Sequence, residues 1–172
     1  MVERNVVLTG FMGTGKTTVG RVLAARLGYE FVDTDDVIES RHGPIPTIFA
    51  ERGEDAFRRY EREVAGELAA RWGLVIATGG RMMIDAVNAE CLGATGDVFC
   101  LVASIDTILE RVAAGGAASR PMLAGDDVRE RVERLLAERA PGYATFRSIE
   151  TDGREPADVA AEIATTVRGS AP

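Results

Sequence analysis

The chain has 172 residues, of which 46% are hydrophobic and 27% charged, and its formal net charge is −7. That length and composition fit one ordinary folded domain. The acidic balance, with basic residues scattered rather than clustered, argues against a nucleic-acid partner, and no apolar run is long enough to span a bilayer.

The first residues lack the charged-then-apolar layout of a secretory signal. Cys91 and Cys100 have no metal-ligand spacing and read as reduced, small apolar side chains. His42 is the lone histidine, so a histidine-based triad or a histidine-rich metal site is excluded by count. A cytoplasmic, monomeric enzyme is the expectation.

In chain order, "NVVLTG" predicts a short buried strand over 5–9. "GFMGTGKTT" follows at residues 10–18 and holds Lys16, the one lysine of the chain. Gly10, Gly13 and Gly15 allow a loop that turns successive N–H groups toward an anion. A helix starting near Gly15 adds its positive end. Lys16 supplies a compact charge for the β- and γ-phosphates, and the Thr17 hydroxyl is a magnesium ligand. Val19, Val22, Leu23 and Leu27 then recur at helical spacing, predicting a helix over 16–27. Strand, glycine loop and helix together indicate nucleotide binding.

The second strand, over 30–33, ends in "FVDTDD". Ligands of open parallel sheets bind beyond the carboxyl ends of the strands, so Asp33 and Asp35 project toward the glycine loop. One can hold a metal or its waters, and the other can accept a proton from an attacking hydroxyl. Asp36 reads as the cap of the next helix, predicted over 36–40. Helices at 45–51 and 54–71 follow. In the second, Phe57, Tyr60, Val64 and Leu68 form an apolar stripe with Glu61 near its centre and Arg58 at its edge. A carboxylate on the buried side needs a partner, and Arg58 stands one turn away. Held by Glu61, Arg58 can offer its other donors to an anion; an ordinary surface ion pair is the plainer alternative.

Strands are predicted over 74–78, 98–102 and 147–151, and helices over 85–91, 104–113, 126–140 and 156–168. Continuous apolar strands such as "LVIA" alternating with helices predict an α/β fold, a parallel sheet covered on both faces. Residues 113–127, "AAGGAASRPMLAGDD", break the periodicity and read as a flap carrying Arg120, which is placed to neutralise charge on a transferring phosphoryl group. Arg139 is singled out from the charged helix around it by position alone.

These segments, from "GFMGTGKTTVGRVLA" through "FVDTDDVIE", "IFAERGEDAFRRYE", "ATGG", "SRPML", "ERAPGY" and "TDGREP", resemble the shikimate kinase family along nearly the whole chain. The resemblance implies a three-layer P-loop kinase fold with a five-stranded parallel sheet of order 2-3-1-4-5. It implies one domain over 1–170, with acceptor-binding helices at about 36–71 and a lid at about 113–127. The implied activity is MgATP-dependent phosphorylation of the 3-hydroxyl of shikimate. By the same resemblance, Gly13, Thr14, Gly15, Lys16, Thr17 and Thr18 bind the nucleotide, with Arg111 and Pro156 flanking the adenine. Asp33 and Thr17 belong to magnesium. Asp35 binds the acceptor hydroxyls and is the base. Arg58 and Arg139 grip the acceptor carboxylate, Phe49 and Phe57 pack nearby, Glu61 holds Arg58, and Arg120 is the lid arginine. Gly79 and Gly80 let the backbone approach the acceptor. The family has a third glycine there, where this chain has Arg81. Arg81 turns outward if its φ is negative, and otherwise adds a cation beside the acceptor pocket; a kinase for another small hydroxy acid, or a binding module without turnover, are the competing readings. Met82 and Met83 read as core filler.

Overall fold

The computed structural model describes residues 4–114 and 127–169. Five strands, β1 (Asn5–Thr9), β2 (Glu30–Asp33), β3 (Leu74–Ala77), β4 (Gly96–Val102) and β5 (Arg147–Glu150), form one sheet of order β2-β3-β1-β4-β5. Every pairing is parallel. The expected fold class and strand order are therefore observed. β1 is buried along its whole length, as is β3. That explains why both read as unbroken apolar runs rather than alternations.

Helices α1 (Lys16–Leu27), α2 (Thr34–His42), α3 (Ile45–Ala69), α4 (Ala86–Thr95), α5 (Ile105–Ala114), α6 (Val128–Tyr143) and α7 (Pro156–Gly169) connect and cover the strands. On one face α1 and α7 pack Val19, Leu23, Val159 and Ile163 against Val6, Leu8 and Phe99 of the sheet. On the other, α3 and α4 bring Phe57, Val64, Leu68 and Leu92 onto Val7, Val32 and Ile76, with Met82 and Met83 buried among them. Those two methionines fill the core as expected.

Three local expectations are corrected and one is met. The helix expected over 36–40 begins at Thr34, because the Asp33 carboxylate accepts from the Asp35 N–H and caps it; Asp36 does not take that role. The two helices expected at 45–51 and 54–71 are both present as the two arms of α3, which meet at Gly53, a residue with a non-helical φ of 79°. The helix expected over 85–91 runs from Ala86 to Thr95, capped by Asp85. The helix expected to stop at 140 continues through Pro141 to Tyr143. The flap read over 113–127 falls on residues 115–126, outside the described residues, and Arg120 with it. Among the described residues no helix is long and apolar enough to cross a membrane.

Candidate active site

At the carboxyl ends of β1, β2 and β3 lies a cleft of about 1070 Å³. It is lined by all the positions selected from sequence apart from Arg120, which is outside the described residues.

One end of the cleft is made of backbone. Gly10 leaves β1 with φ 133°, and a Cβ there would stand 2.3 Å from the Leu101 carbonyl oxygen, so only glycine fits this turn. Thr14 is buried and donates to the Phe11 carbonyl at 2.7 Å, closing the loop. α1 then starts with no side-chain cap and no acidic residue in its first turn. Its N-terminal N–H groups and positive dipole end thus face the cleft. The Lys16 ammonium arches back over the loop and donates to the Gly10 and Phe11 carbonyls, both at 2.9 Å. These groups make an anion cradle of phosphate size.

Beside the cradle, Thr17 donates to Asp33 Oδ2 at 3.0 Å. This pair joins the first turn of α1 to the end of β2 and presents two hard oxygen donors, which suit magnesium. Among the described residues no group of three or more His, Cys, Asp or Glu side chains forms a metal cage.

Asp35 stands deeper. Its Oδ1 is buried with no hydrogen-bond partner. Burial, with Asp33 and Glu61 adding like charge, pushes its carboxyl up to about 6. Gly79 faces it, and a Cβ on Gly79 would lie 2.8 Å from Asp35 Oδ1 and 3.4 Å from Glu61 Oε1. The hydrogen there lets two carboxylates close around the backbone. The Gly79 N–H is fixed by the Thr34 hydroxyl at 3.1 Å.

The far end of the cleft is built from side chains. Glu61 is 1% exposed and accepts from Arg58 Nη1 at 2.7 Å. Its second oxygen, Oε1, is buried without a partner. Burial raises the Glu61 carboxyl, and the Arg58 hydrogen bond works against that rise. Arg58 also donates through Nε and Nη2 to Glu54 Oε1. Its guanidinium lies over the Phe57 ring at 5.3 Å, and Phe57 packs against Phe49 at 5.0 Å. Across from it, Arg139 is 6% exposed and sits over the Phe11 ring at 5.2 Å. No carboxylate among the described residues pairs with it. A cation this buried calls for an anion.

Toward the other wall, Arg111 Nη1 donates to the Gly13 carbonyl at 3.2 Å and to Thr151 Oγ1 at 3.0 Å, and Nη2 donates to the Thr151 carbonyl at 2.9 Å. It ties the glycine loop to the segment before α7, where Pro156 lines the cleft.

Three residues that help build the site escaped the sequence reading. Tyr143 donates to the Gly80 carbonyl and fixes the loop after β3. Its place one turn after Arg139, on the same helical face, was the available signal. Thr34 was masked by its acidic neighbours. Glu54 looked like a surface residue. Arg81 has φ −113° and a side chain 52% exposed, and its Nη1 lies 3.2 Å from Glu54 Oε1 at the rim of the cleft.

Comparisons with known proteins place the chain in a family. The model of one protein family, shikimate kinase, matches residues 12–168. The shikimate kinase of Symbiobacterium thermophilum is 46% identical over 162 residues, 92% of this chain and 93% of that protein. That of Geobacter sulfurreducens is 45% identical over 167 residues, 96% of this chain and 91% of that protein. Among solved structures, a shikimate kinase from Acinetobacter baumannii in complex with shikimate superposes with a TM-score of 0.89 at 38% identity, covering 97% of this chain and 94% of that one. A gluconokinase from Sinorhizobium meliloti, with a TM-score of 0.67 at 17% identity over 98% of this chain and 93% of that one, shares the fold.

Proposed function

The chain belongs to the shikimate kinase family, and from that premise we propose how its own residues carry the reaction. It is a kinase that transfers phosphate from ATP to shikimate, and the hydroxyl phosphorylated is the 3-hydroxyl. The observation that carries the residue assignment is the pairing of two unmet needs across Gly79 and Gly80. Arg139 is a buried cation with no carboxylate partner among the described residues, and Asp35 is a carboxylate with a buried, unbonded oxygen. An acceptor bearing both a carboxylate and hydroxyls answers both.

In this reading the glycine loop, Lys16 and the first turn of α1, with Thr14 and Thr18, hold the β- and γ-phosphates. Arg111 and Pro156 border the base. Thr17 and Asp33 would hold magnesium, which when bound with ATP supplies charge neutralisation at the phosphates. Arg139 and Arg58 clamp the acceptor carboxylate, Glu61 holds Arg58, and Phe49 and Phe57 wall the ring. The clamp fixes the acceptor hydroxyl beside Asp35 Oδ1. Asp35 accepts the hydroxyl proton as the oxygen bonds to the γ-phosphorus and the bond to the β-bridging oxygen breaks, releasing ADP. With its carboxyl near 6, Asp35 is ionised at neutral pH yet a better base than a free aspartate. Arg120 is assigned charge neutralisation at the transferring group from its place in the sequence alone. Catalysis is then positioning and electrostatics, the usual means of phosphoryl transfer.

The test is ADP release with MgATP, with and without shikimate. Turnover that depends on shikimate, at a kcat of about 1–100 s⁻¹, is the expected result. ATP binding with no shikimate-dependent turnover would overturn the substrate assignment.

A further inference from the structure

Arg58 is over-committed. Its one positive charge serves Glu61 Oε2 at 2.7 Å through Nη1, and Glu54 Oε1 at 3.2 and 2.8 Å through Nε and Nη2. Taken alone, Glu54, Arg58 and Glu61 sum to one negative charge. A cluster of that sign repels an acid instead of collecting one. Glu54 also sits on the Nε–Nη2 edge of Arg58, an edge on which a guanidinium can take a carboxylate in bidentate fashion.

Arg81 changes this count. Its Nη1 reaches the same Glu54 oxygen at 3.2 Å, from the loop after β3, 27 residues away in sequence. The position is otherwise hard to explain. The backbone has an unstrained φ of −113°, so nothing local demands or forbids arginine there. The side chain is 52% exposed and contributes nothing to the core. Yet it lines the same cleft as Arg58, Asp35 and Arg139. With Arg81 counted, the cluster of two arginines and two glutamates is neutral, and Arg58 can receive a further anion.

We propose that Arg81 sets the affinity of this site for an anionic acceptor indirectly, by pairing with Glu54 and relieving Arg58 of surplus negative charge. On this proposal Arg81 is a positioning residue: it pairs with Glu54 and acts on the acceptor through Arg58. Glu54 is an internal competitor for Arg58. The inference rests on the assignment of Arg58 to the acceptor carboxylate made above.

The experiment is a double-mutant cycle on the full chain. Initial rates of ADP formation are measured with shikimate varied at saturating MgATP, for wild type, Arg81→Ala, Glu54→Gln, the double variant, and Arg58→Ala as the control of the underlying assignment. Arg81→Ala is expected to raise the KM for shikimate about two- to fivefold, the range an exposed ion pair spans, with kcat held. Glu54→Gln is expected to lower that KM, and adding Arg81→Ala to Glu54→Gln is expected to change nothing further. Equal effects of Arg81→Ala with and without Glu54 would mean that Arg81 meets the acceptor itself, and would overturn the proposal. So would an unchanged KM in both Arg81→Ala and Glu54→Gln while Arg58→Ala raises it. If Arg58→Ala leaves the KM alone, the acceptor assignment fails first, and this inference with it.

Discussion

The two ends of the cleft are built on opposite plans. The phosphate end is one stretch of nine residues, 10–18, whose binding groups are backbone N–H donors, a helix end and a single lysine. The acceptor end draws on four separated segments: Asp35 after β2, Phe49 to Glu61 on α3, Gly79 to Arg81 after β3, and Arg139 with Tyr143 on α6. Its binding groups are side chains held by other side chains. A locally built anion site depends on few residues and loses most of its function when one goes. A tertiary site spreads its energy over pairs, so each change there has a smaller and more selective effect.

The largest test of that contrast is Lys16→Ala. It removes the ammonium that arches over the glycine loop, and we expect kcat to fall about 10³-fold or more while the fold is kept. Near-normal turnover at saturating ATP would break the comparison at its strong end. Next comes Arg139→Ala at the acceptor end. Removing one partner from a desolvated charge contact weakens binding by about 2–5 kcal/mol. The loss should appear in acceptor affinity, with ATP affinity unchanged. If ATP affinity falls as much, Arg139 supports the whole cleft and not its acceptor end. Arg111→Ala should be milder. Its three hydrogen bonds tie Gly13 to Thr151, and losing charged hydrogen bonds of this kind costs about 1.5–3 kcal/mol. A calorimetric titration with ATP should show the loss and one with shikimate should not.

The same contrast explains what could be read from the sequence. Strands β1 and β3 are buried on both faces, so their apolar runs announced a parallel sheet, and the glycine loop announced itself by local chemistry. The Glu61–Arg58 pair was legible because both lie on one helix. Other features were not local. Asp33 caps α2 where Asp36 was expected, because the chain turns directly off the end of β2 beside Ala77 of β3. α6 passes Pro141 because its last turn is anchored from outside. Tyr143 bonds the Gly80 carbonyl, and Gly142 packs closely on the Ile84 side chain, where a Cβ would lie 3.1 Å away. The partnership of Arg81 with Glu54 bridges 27 residues, and no helical or strand periodicity connects such positions.

The smallest expected effect concerns stability, and it sharpens the comparison from the acceptor side. Asp35 is the group that the site holds against its own preference. Its folded value, about 6, lies above the 3.8 of an ordinary aspartate. The folded state therefore favours the protonated form. The stabilisation this gives is fully present below about pH 4 and disappears as pH rises through 6. At pH 8 the ionised carboxylate is a net burden on the fold. Two pH units correspond to about 3 kcal/mol. Because part of the residue faces the open cleft, solvent screening reduces this to about 1–2 kcal/mol. Asp35→Asn should therefore be more stable than wild type in denaturant melts at pH 8 without metal, and its advantage should vanish by pH 4. The same variant should lose turnover, since the amide cannot take the acceptor proton. Equal stabilities at both pH values would mean that Asp35 is not held in a destabilised, base-like state. Its catalytic assignment would then have to rest on position alone.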